Sequence, residues 1–206
     1  MCIRDSSRCD GGDRAAVCGG GGSWRPFAGH GARMITAAHL GGGKRPRSGW
    51  LGERARLAVA GLGARSRTLA VAESLTGGLL SALITEVPGA SVVFRGAVVP
   101  YATGLKAELL GVPTELLERH GAVDPQVAAE MARGVRRRLD ADLGVATTGV
   151  AGPALQDAKP VGTVHVALDS SDGCAVRSAK FDGSRADVRE AAAGLALSLL
   201  LEWLGT

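Results

Sequence analysis

Four side chains in this sequence are of types that could make and break an acyl bond: the hydroxyls of Ser74, Tyr101 and Thr148, and the amine of Lys106. Ser74 and Thr148 stand in similar settings. In Thr68-Leu-Ala-Val-Ala-Glu-Ser-Leu-Thr-Gly-Gly78 a short apolar run stops at Glu73-Ser74, enters a Thr-Gly-Gly turn, and is followed by a second apolar run, Leu79 to Ile84, at helical spacing. That order predicts strand, turn and helix, with Ser74 at the carboxyl end of a buried strand. The backbone N–H groups of Thr76, Gly77 and Gly78 then fall near a helix N-terminus, where negative charge is favoured. A serine there serves equally well as a helix cap. Leu143-Gly-Val-Ala-Thr-Thr148, broken by Gly149-Val-Ala-Gly-Pro153, repeats the pattern, so Thr148 is the counterpart of Ser74.

Strand ends of an α/β sheet are where ligands bind. The polar residues predicted there are Ser74, Thr76, Tyr101, Lys106, Thr147 and Thr148, with Arg185 available from the start of the last helix. No carboxylate pair stands among them. His165 lies inside a strand pattern and His120 at a helix end, which disfavours a Ser-His-Asp triad. The remaining option is a hydroxyl nucleophile with a lysine or tyrosine as base. Lysine can act so only if burial or a neighbouring cation lowers its pKa. The apolar residues around Lys106 would help, although spacing alone favours an exposed helix lysine.

The elements that must position these groups follow from periodicity. Helices are predicted from Leu51 to Gly63, Gly77 to Thr85, Leu105 to Leu110, Pro113 to His120, from Asp124-Pro125 to about Leu139, and from Arg185 to Trp203. Strands are predicted over Thr68–Glu73, Ser91–Val99, Leu143–Thr148, Gly162–Leu168 and Cys174–Phe181, the last two joined by an Asp-Ser-Ser-Asp-Gly turn. Alternating strands and helices indicate an α/β fold, a three-layer α/β/α sandwich. Its sheet of about five strands is expected to be mixed and mostly parallel, because the closing hairpin must be antiparallel. The cluster Arg136-Arg-Arg138 reads as a solvated face at a helix end.

Residues 1–50 differ from the rest. They hold twelve of the 31 glycines, eight Lys/Arg against three Asp/Glu, and no period of 2 or 3.6. The segment is expected to be a disordered or artefactual leader, with residues 51–206 as the folded domain. Lys44-Arg-Pro-Arg47 could act as a basic tether. Its three cysteines and two histidines match no zinc spacing, so no metal or cofactor is expected. The remainder holds sixteen basic and seventeen acidic residues, and aromatics are only 3% of the chain. Neither feature suits a nucleic-acid partner. One cysteine in the body gives no disulfide framework, and no apolar run is long enough for a membrane span; a cytoplasmic protein is expected. The Ala/Leu-rich last helix makes a homo-oligomer plausible.

Six motifs then stand in order: Ala72-Glu-Ser-Leu-Thr-Gly-Gly78, Val98-Val-Pro-Tyr-Ala-Thr-Gly-Leu-Lys106, Leu110-Gly-Val112, His120-Gly-Ala-Val-Asp-Pro125, Thr148-Gly-Val-Ala-Gly-Pro153 and Lys159-Pro-Val-Gly-Thr163. Each is weak alone. The series resembles the CinA C-terminal domain family, the nicotinamide-nucleotide amidohydrolases, from about residue 51 to the end. The resemblance implies hydrolysis of the carboxamide of nicotinamide mononucleotide (NMN) to nicotinic acid mononucleotide and ammonia. It implies Ser74 as nucleophile and Lys106 as general base, with Tyr101 and Thr148 polarising or relaying protons. On that footing Thr76, Gly77 and Gly78 are expected to supply oxyanion donors, and Gly149, Gly152 and Arg185 a cradle for the substrate phosphate.

Some relatives carry a further N-terminal pyrophosphatase-like domain; residues 1–50 do not resemble it, and the stand-alone form is expected. Two departures stand out. Ala154-Leu-Gln-Asp-Ala158 replaces a loop that is glycine-rich in relatives, and Ser184 replaces an acid in Phe181-Asp-Gly-Ser-Arg185. The alternative function is a catalytically silent nucleotide-binding or regulatory module of the competence-damage-inducible type.

Overall fold

The computed structural model describes residues 47–206. The leader's expected disorder, its cysteines and its histidines lie outside the described residues, except that residues 47–50 open the first helix. The chain runs α1 (Arg47–Ala64), β1 (Leu69–Glu73), α2 (Leu79–Thr85), β2 (Phe94–Val98), α3 (Thr103–Leu110), α4 (Thr114–His120), α5 (Pro125–Arg138), β3 (Leu143–Gly149), β4 (Thr163–Ser170), β5 (Gly173–Lys180) and α6 (Arg185–Leu204). The second strand is shorter than expected. Ala90–Val92 form a 3-10 turn instead, entered through Gly89 at φ 86°. The β-branched Val92 that suggested a strand there is 78% exposed.

The five strands lie in the order β2-β1-β3-β4-β5. β1 pairs in parallel with β2 and with β3, while β4 is antiparallel to both its neighbours. Four strands therefore point one way and β4 the other, which gives the mixed sheet of an α/β fold.

Side-chain alternation assigns each face of the sheet to its own layer. Leu69 and Val71 of β1, Leu143 and Val145 of β3, and Val164, Val166 and Leu168 of β4 join α1, α2 and α6 in one core. Ala70, Ala72, Ala146 and Ala167 join α3, α4 and α5 in the other. The second face carries small residues, so α5 lies close to the sheet.

α1 and α6 run side by side in the same direction. A Cβ on Gly194 would sit 2.2 Å from the Trp50 ring and one on Gly61 3.0 Å from Leu204. Arg54 donates to the Ser198 hydroxyl and stacks over Trp50, 5.1 Å from the ring centre. The buried apolar residues of α6, from Val188 to Leu204, pack in the core shared with α1. Among the described residues no helix is long and apolar enough to cross a membrane.

Arg136 is not part of a solvated face. It donates at 2.6 Å to Asp169, a buried carboxylate on β4. Register places Asp169 opposite Gly144, on the α5 face, which is why an arginine of α5 meets it.

Candidate active site

The alternation that builds the two cores also decides where the residues at the end of β1 point. Glu73 continues the Leu69–Val71 face and turns toward α2. Ser74 continues the Ala70–Ala72 face and turns toward α3. Both outcomes are visible in the hydrogen bonds.

Glu73 is fully buried. Its carboxylate accepts from the backbone N–H groups of Gly78 (2.9 Å), Leu80 (3.1 Å) and Ser81 (2.9 Å), and from the Ser81 hydroxyl. The N-terminus of α2, expected to receive an anion from outside, already holds one from its own chain. The expected roles of Gly77 and Gly78 as oxyanion donors are corrected accordingly. The Gly78 N–H is bonded to Glu73, and the Gly77 N–H donates to the Ser74 carbonyl at 3.1 Å. Both glycines hold φ values of 55° and 93°, so their place in the turn is conformational.

Ser74 meets Lys106. The lysine Nζ, on α3, lies 3.2 Å from Ser74 Oγ, 2.9 Å from the Pro100 carbonyl and 3.4 Å from the Tyr101 carbonyl. The lysine side chain is fully buried, so it is not the exposed helix residue that spacing alone favoured. Burial pushes its pKa down to about 8, an effect partly opposed by the negative charge of Asp157. Charged, the amine donates to all three oxygens, Ser74 Oγ included. Carbonyl oxygens can only accept, so once the amine is neutral Pro100 and Tyr101 keep its two N–H bonds and its lone pair is left for the Ser74 hydroxyl. After taking the serine proton, the ammonium has three donors for the same three oxygens.

Tyr101 lines the cleft and contributes through two groups. Its main-chain carbonyl holds Lys106, while its exposed phenol accepts from Arg185 at 2.7 Å. The second Arg185 nitrogen donates to the Gly152 carbonyl at 2.6 Å. Arg185 therefore spans the mouth of an open cleft with about 380 Å³ of empty space, lined among others by Ser74, Tyr101, Gly149, Gly152 and Gln156. Gly149 allows β4 to pass close behind: a Cβ there would lie 2.4 Å from the Thr163 carbonyl. The three walls leave the carboxyl ends of three adjacent parallel strands, β1, β2 and β3.

Thr148 lies one strand across from Ser74, on the same face of the sheet. Its buried hydroxyl donates to the Ala122 carbonyl at 2.7 Å, and Asp157 accepts from the Ala122 N–H, also at 2.7 Å. The two residues fix the corner between α4 and α5. Thr147, on the opposite face, shares a 2.7 Å hydrogen bond with Thr76, whose side chain is also buried. His165 is lowered in pKa by burial and pairs with Ser178 at 2.7 Å, a satisfied sheet-face histidine. His120 lies 3.7 Å from Asp124 at the end of α4. Ser184, the substituted acid, caps α6 reciprocally with Asp187 and so replaces a carboxylate cap by a hydroxyl one. Among the described residues no three His, Cys, Asp or Glu side chains gather as metal ligands.

Sequence reasoning passed over two residues that the structure brings to the turn. Glu73 was visible by parity, since it shares the face of Leu69 and Val71. Arg189 stands one helical turn after Arg185; it donates to the Leu75 carbonyl at 3.1 Å and to the Thr76 carbonyl at 2.5 Å.

Residues 53–204 match the family model for the CinA C-terminal domain. A CinA-like protein of Frankia casuarinae is 54% identical over 140 residues, covering 68% of this chain and 32% of its own length. One from Parasynechococcus marenigrum is 52% identical over 120 residues, covering 58% of this chain and 29% of its own. The chain thus spans about a third of the curated relatives it matches. Among solved structures, the competence/damage inducible protein of Agrobacterium tumefaciens superposes with a TM-score of 0.73 at 37% identity, covering 77% of this chain and 97% of that one. A CinA superfamily protein from Escherichia coli gives 0.73 at 30% identity, covering 78% and 94%.

Proposed function

The chain belongs to the CinA C-terminal domain family, and from that premise we propose that it hydrolyses the carboxamide of nicotinamide mononucleotide to nicotinic acid mononucleotide and ammonia. The observation that carries the proposal is the Ser74–Lys106 pair: a strand-end hydroxyl 3.2 Å from a buried amine whose other two contacts are carbonyl oxygens.

In the first half-reaction Ser74 Oγ attacks the carboxamide carbon and its proton passes to Lys106 Nζ. The developing oxyanion needs donors. With Gly77 and Gly78 committed, the N–H of Leu75, a residue that lines the cleft, is left for that role and has no acceptor among the described residues. Lys106 then returns its proton to the amide nitrogen, ammonia leaves, and an ester to Ser74 remains. Water, deprotonated by Lys106, attacks the ester and releases the carboxylate. One amide C–N bond is exchanged for a C–O bond, and the chemistry needs no redox partner.

The substrate phosphate suits the mouth of the cleft, where the Arg185 guanidinium lies. We place the activity in the cytoplasm, where pyridine nucleotides are salvaged, with no nucleic acid or cofactor required.

The deciding measurement is ammonia release from NMN by purified protein, with Ser74→Ala as control. Release that depends on Ser74 supports the proposal. Folded protein that binds NMN calorimetrically without releasing ammonia would select the silent nucleotide-binding alternative.

A further inference from the structure

One wall of the cleft takes no part in the steps above: the loop after Pro153, from which Ala154 and Gln156 line the same space as Ser74. This wall is held in a set position. The Gln156 N–H donates to the Lys159 carbonyl at 3.3 Å, and the Lys159 N–H returns a bond to the Gln156 carbonyl at 2.8 Å, closing a small antiparallel bridge. Inside the bridge Asp157 and Ala158 hold φ values of 50° and 58°, a conformation that residues other than glycine seldom adopt. Such a bend persists where its surroundings fix it. Here Asp157 does so, latching the bend to the α4–α5 corner. Its carboxylate accepts from the Ala122 N–H at 2.7 Å and lies over Gly121, where a Cβ would come within 2.5 Å of the carboxyl carbon. Gln156, one residue before the latch, therefore meets the cleft from a fixed backbone.

Four polar side chains line the cleft: Ser74, Tyr101, Gln156 and Arg185. Three of them are engaged. Ser74 meets Lys106, and Arg185 donates to the Tyr101 phenol and to the Gly152 carbonyl. The Gln156 amide has no partner among the described residues. A few placed polar groups of this kind are what orient a ligand in a cleft. An amide offers N–H donors and an acceptor oxygen without net charge. It therefore suits hydroxyl groups, which accept and donate in turn, and two neighbouring hydroxyls can engage its oxygen and its nitrogen together. On the function proposed above, Ser74 takes the reacting carboxamide and Arg185 the phosphate. The part of the substrate left over is the neutral sugar that joins them.

We propose that Gln156 is a specificity-determining residue that hydrogen-bonds the vicinal hydroxyls of the substrate's ribose, selecting a ribosyl amide over the same amide without that diol. The inference rests on the substrate reading above and adds the group that reads its middle. Gln156 makes and breaks no covalent bond; its contribution is to substrate binding, with Ser74 and Lys106 left to the chemistry.

The experiment compares deamidation of NMN with that of NMN lacking its 2′- and 3′-hydroxyls, in wild type and in Gln156→Ala. Wild type should favour NMN about 10-fold or more in kcat/KM, because a site built to bond a hydroxyl is left unpaired by an analogue without it. Gln156→Ala should raise KM for NMN about 3- to 10-fold, the scale of a hydrogen bond, and leave kcat within about twofold. On the dideoxy analogue the same substitution should change little, so the preference for NMN shrinks by the factor lost. That coupling between side chain and diol is what a merely structural glutamine would not give, since it would weaken both substrates equally. The pH midpoint of the rate should stay as in wild type.

Gln156→Ala that retains its thermal midpoint and keeps the wild-type preference between the two substrates overturns the proposal, as does wild type that handles them equally. Should the alanine variant not fold, Gln156→Met, which keeps the length and removes the amide, is read in the same way. Wild type that binds NMN without deamidating it defeats the catalytic reading alone, and the same preference is then taken from calorimetric Kd values. Wild type that neither deamidates nor binds NMN overturns the substrate reading and this proposal with it.

Discussion

The ends of β1 and β3 are near copies in sequence and opposites in use. Each strand finishes on a hydroxyl facing the α3–α5 layer, Ser74 on one and Thr148 on the other, and each continues into glycine. Ser74 meets an amine and opens onto the cleft. Thr148 meets the Ala122 carbonyl and is sealed beneath the α4–α5 corner. The strand and its turn present the hydroxyl; what arrives opposite it decides whether that hydroxyl reacts or braces. Opposite Ser74 the chain delivers Lys106 from α3, opposite Thr148 a main-chain oxygen.

The sharpest way to break this comparison is to remove each hydroxyl in turn. Ser74→Ala should lower kcat for ammonia release by about 10³-fold or more, because the covalent route is lost. Thr148→Val should leave kcat within a few-fold and instead lower stability by about 1–2 kcal/mol, leaving the buried Ala122 carbonyl without its donor. Equal rate losses in the two variants, measured side by side, would erase the distinction.

Next in size is the titration of Lys106. Its pKa of about 8 means the neutral, basic form grows as pH rises through that value. kcat/KM should therefore climb about 30-fold between pH 6.5 and pH 9 and level off beyond. A flat profile would remove lysine as the base. Lys106 also carries a stability signature. Its folded pKa lies below the ordinary 10.5, so the unfolded chain binds more protons between about 8 and 10.5, and stability should rise with pH across that window. Urea unfolding at pH 8 and pH 10, compared with Lys106→Met, isolates the effect.

Glu73→Gln tests the partner layer. An amide offers one acceptor oxygen where the carboxylate serves four donors, and its NH2 meets N–H groups. About 2–3 kcal/mol of stability should be lost in chemical denaturation.

The smallest effect is the most particular. Asp157→Asn retains an acceptor for the Ala122 N–H but removes the charge that raises the Lys106 pKa. The acid limb of the rate profile should move to lower pH by a fraction of a unit, so the variant should outpace wild type at pH 6.5. A shift to higher pH would contradict the electrostatic account.

Much of the frame was legible because it is written locally. Leu69 to Glu73 and the turn after it follow from alternation and glycine, as does the hairpin of β4 and β5. The overlong second strand shows where such reading fails: Val92 and Val93 have strand-like side chains, but Gly89 turns the chain into a 3-10 turn first. Ser74 and Lys106 were identifiable as chemistry, yet their meeting depends on α3 folding over the sheet, which no spacing encodes. The phenol of Tyr101 drew notice because phenols do chemistry, and it was the anonymous carbonyl of the same residue that reached the amine. Arg189 was passed over for the complementary reason: it binds only backbone, and backbone partners leave no mark in sequence.

The pairing of α1 with α6 has a mechanical consequence. α6 is clamped against α1 along its second half, by Trp50 against Gly194, Arg54 on Ser198 and Leu204 on Gly61, while its first two turns, seated in the core by Val188 and Ala192, carry Arg185 and Arg189 to the cleft. The clamp begins about 8 Å along the axis from Arg189. Trp50 precedes residues 53–204, the span the family model matches, so part of the clamp on α6 lies upstream of that span. Loosening the clamp at Gly194 or Trp50 would leave the first turns held by Val188 and Ala192 alone, a slackness that turnover would register before unfolding did.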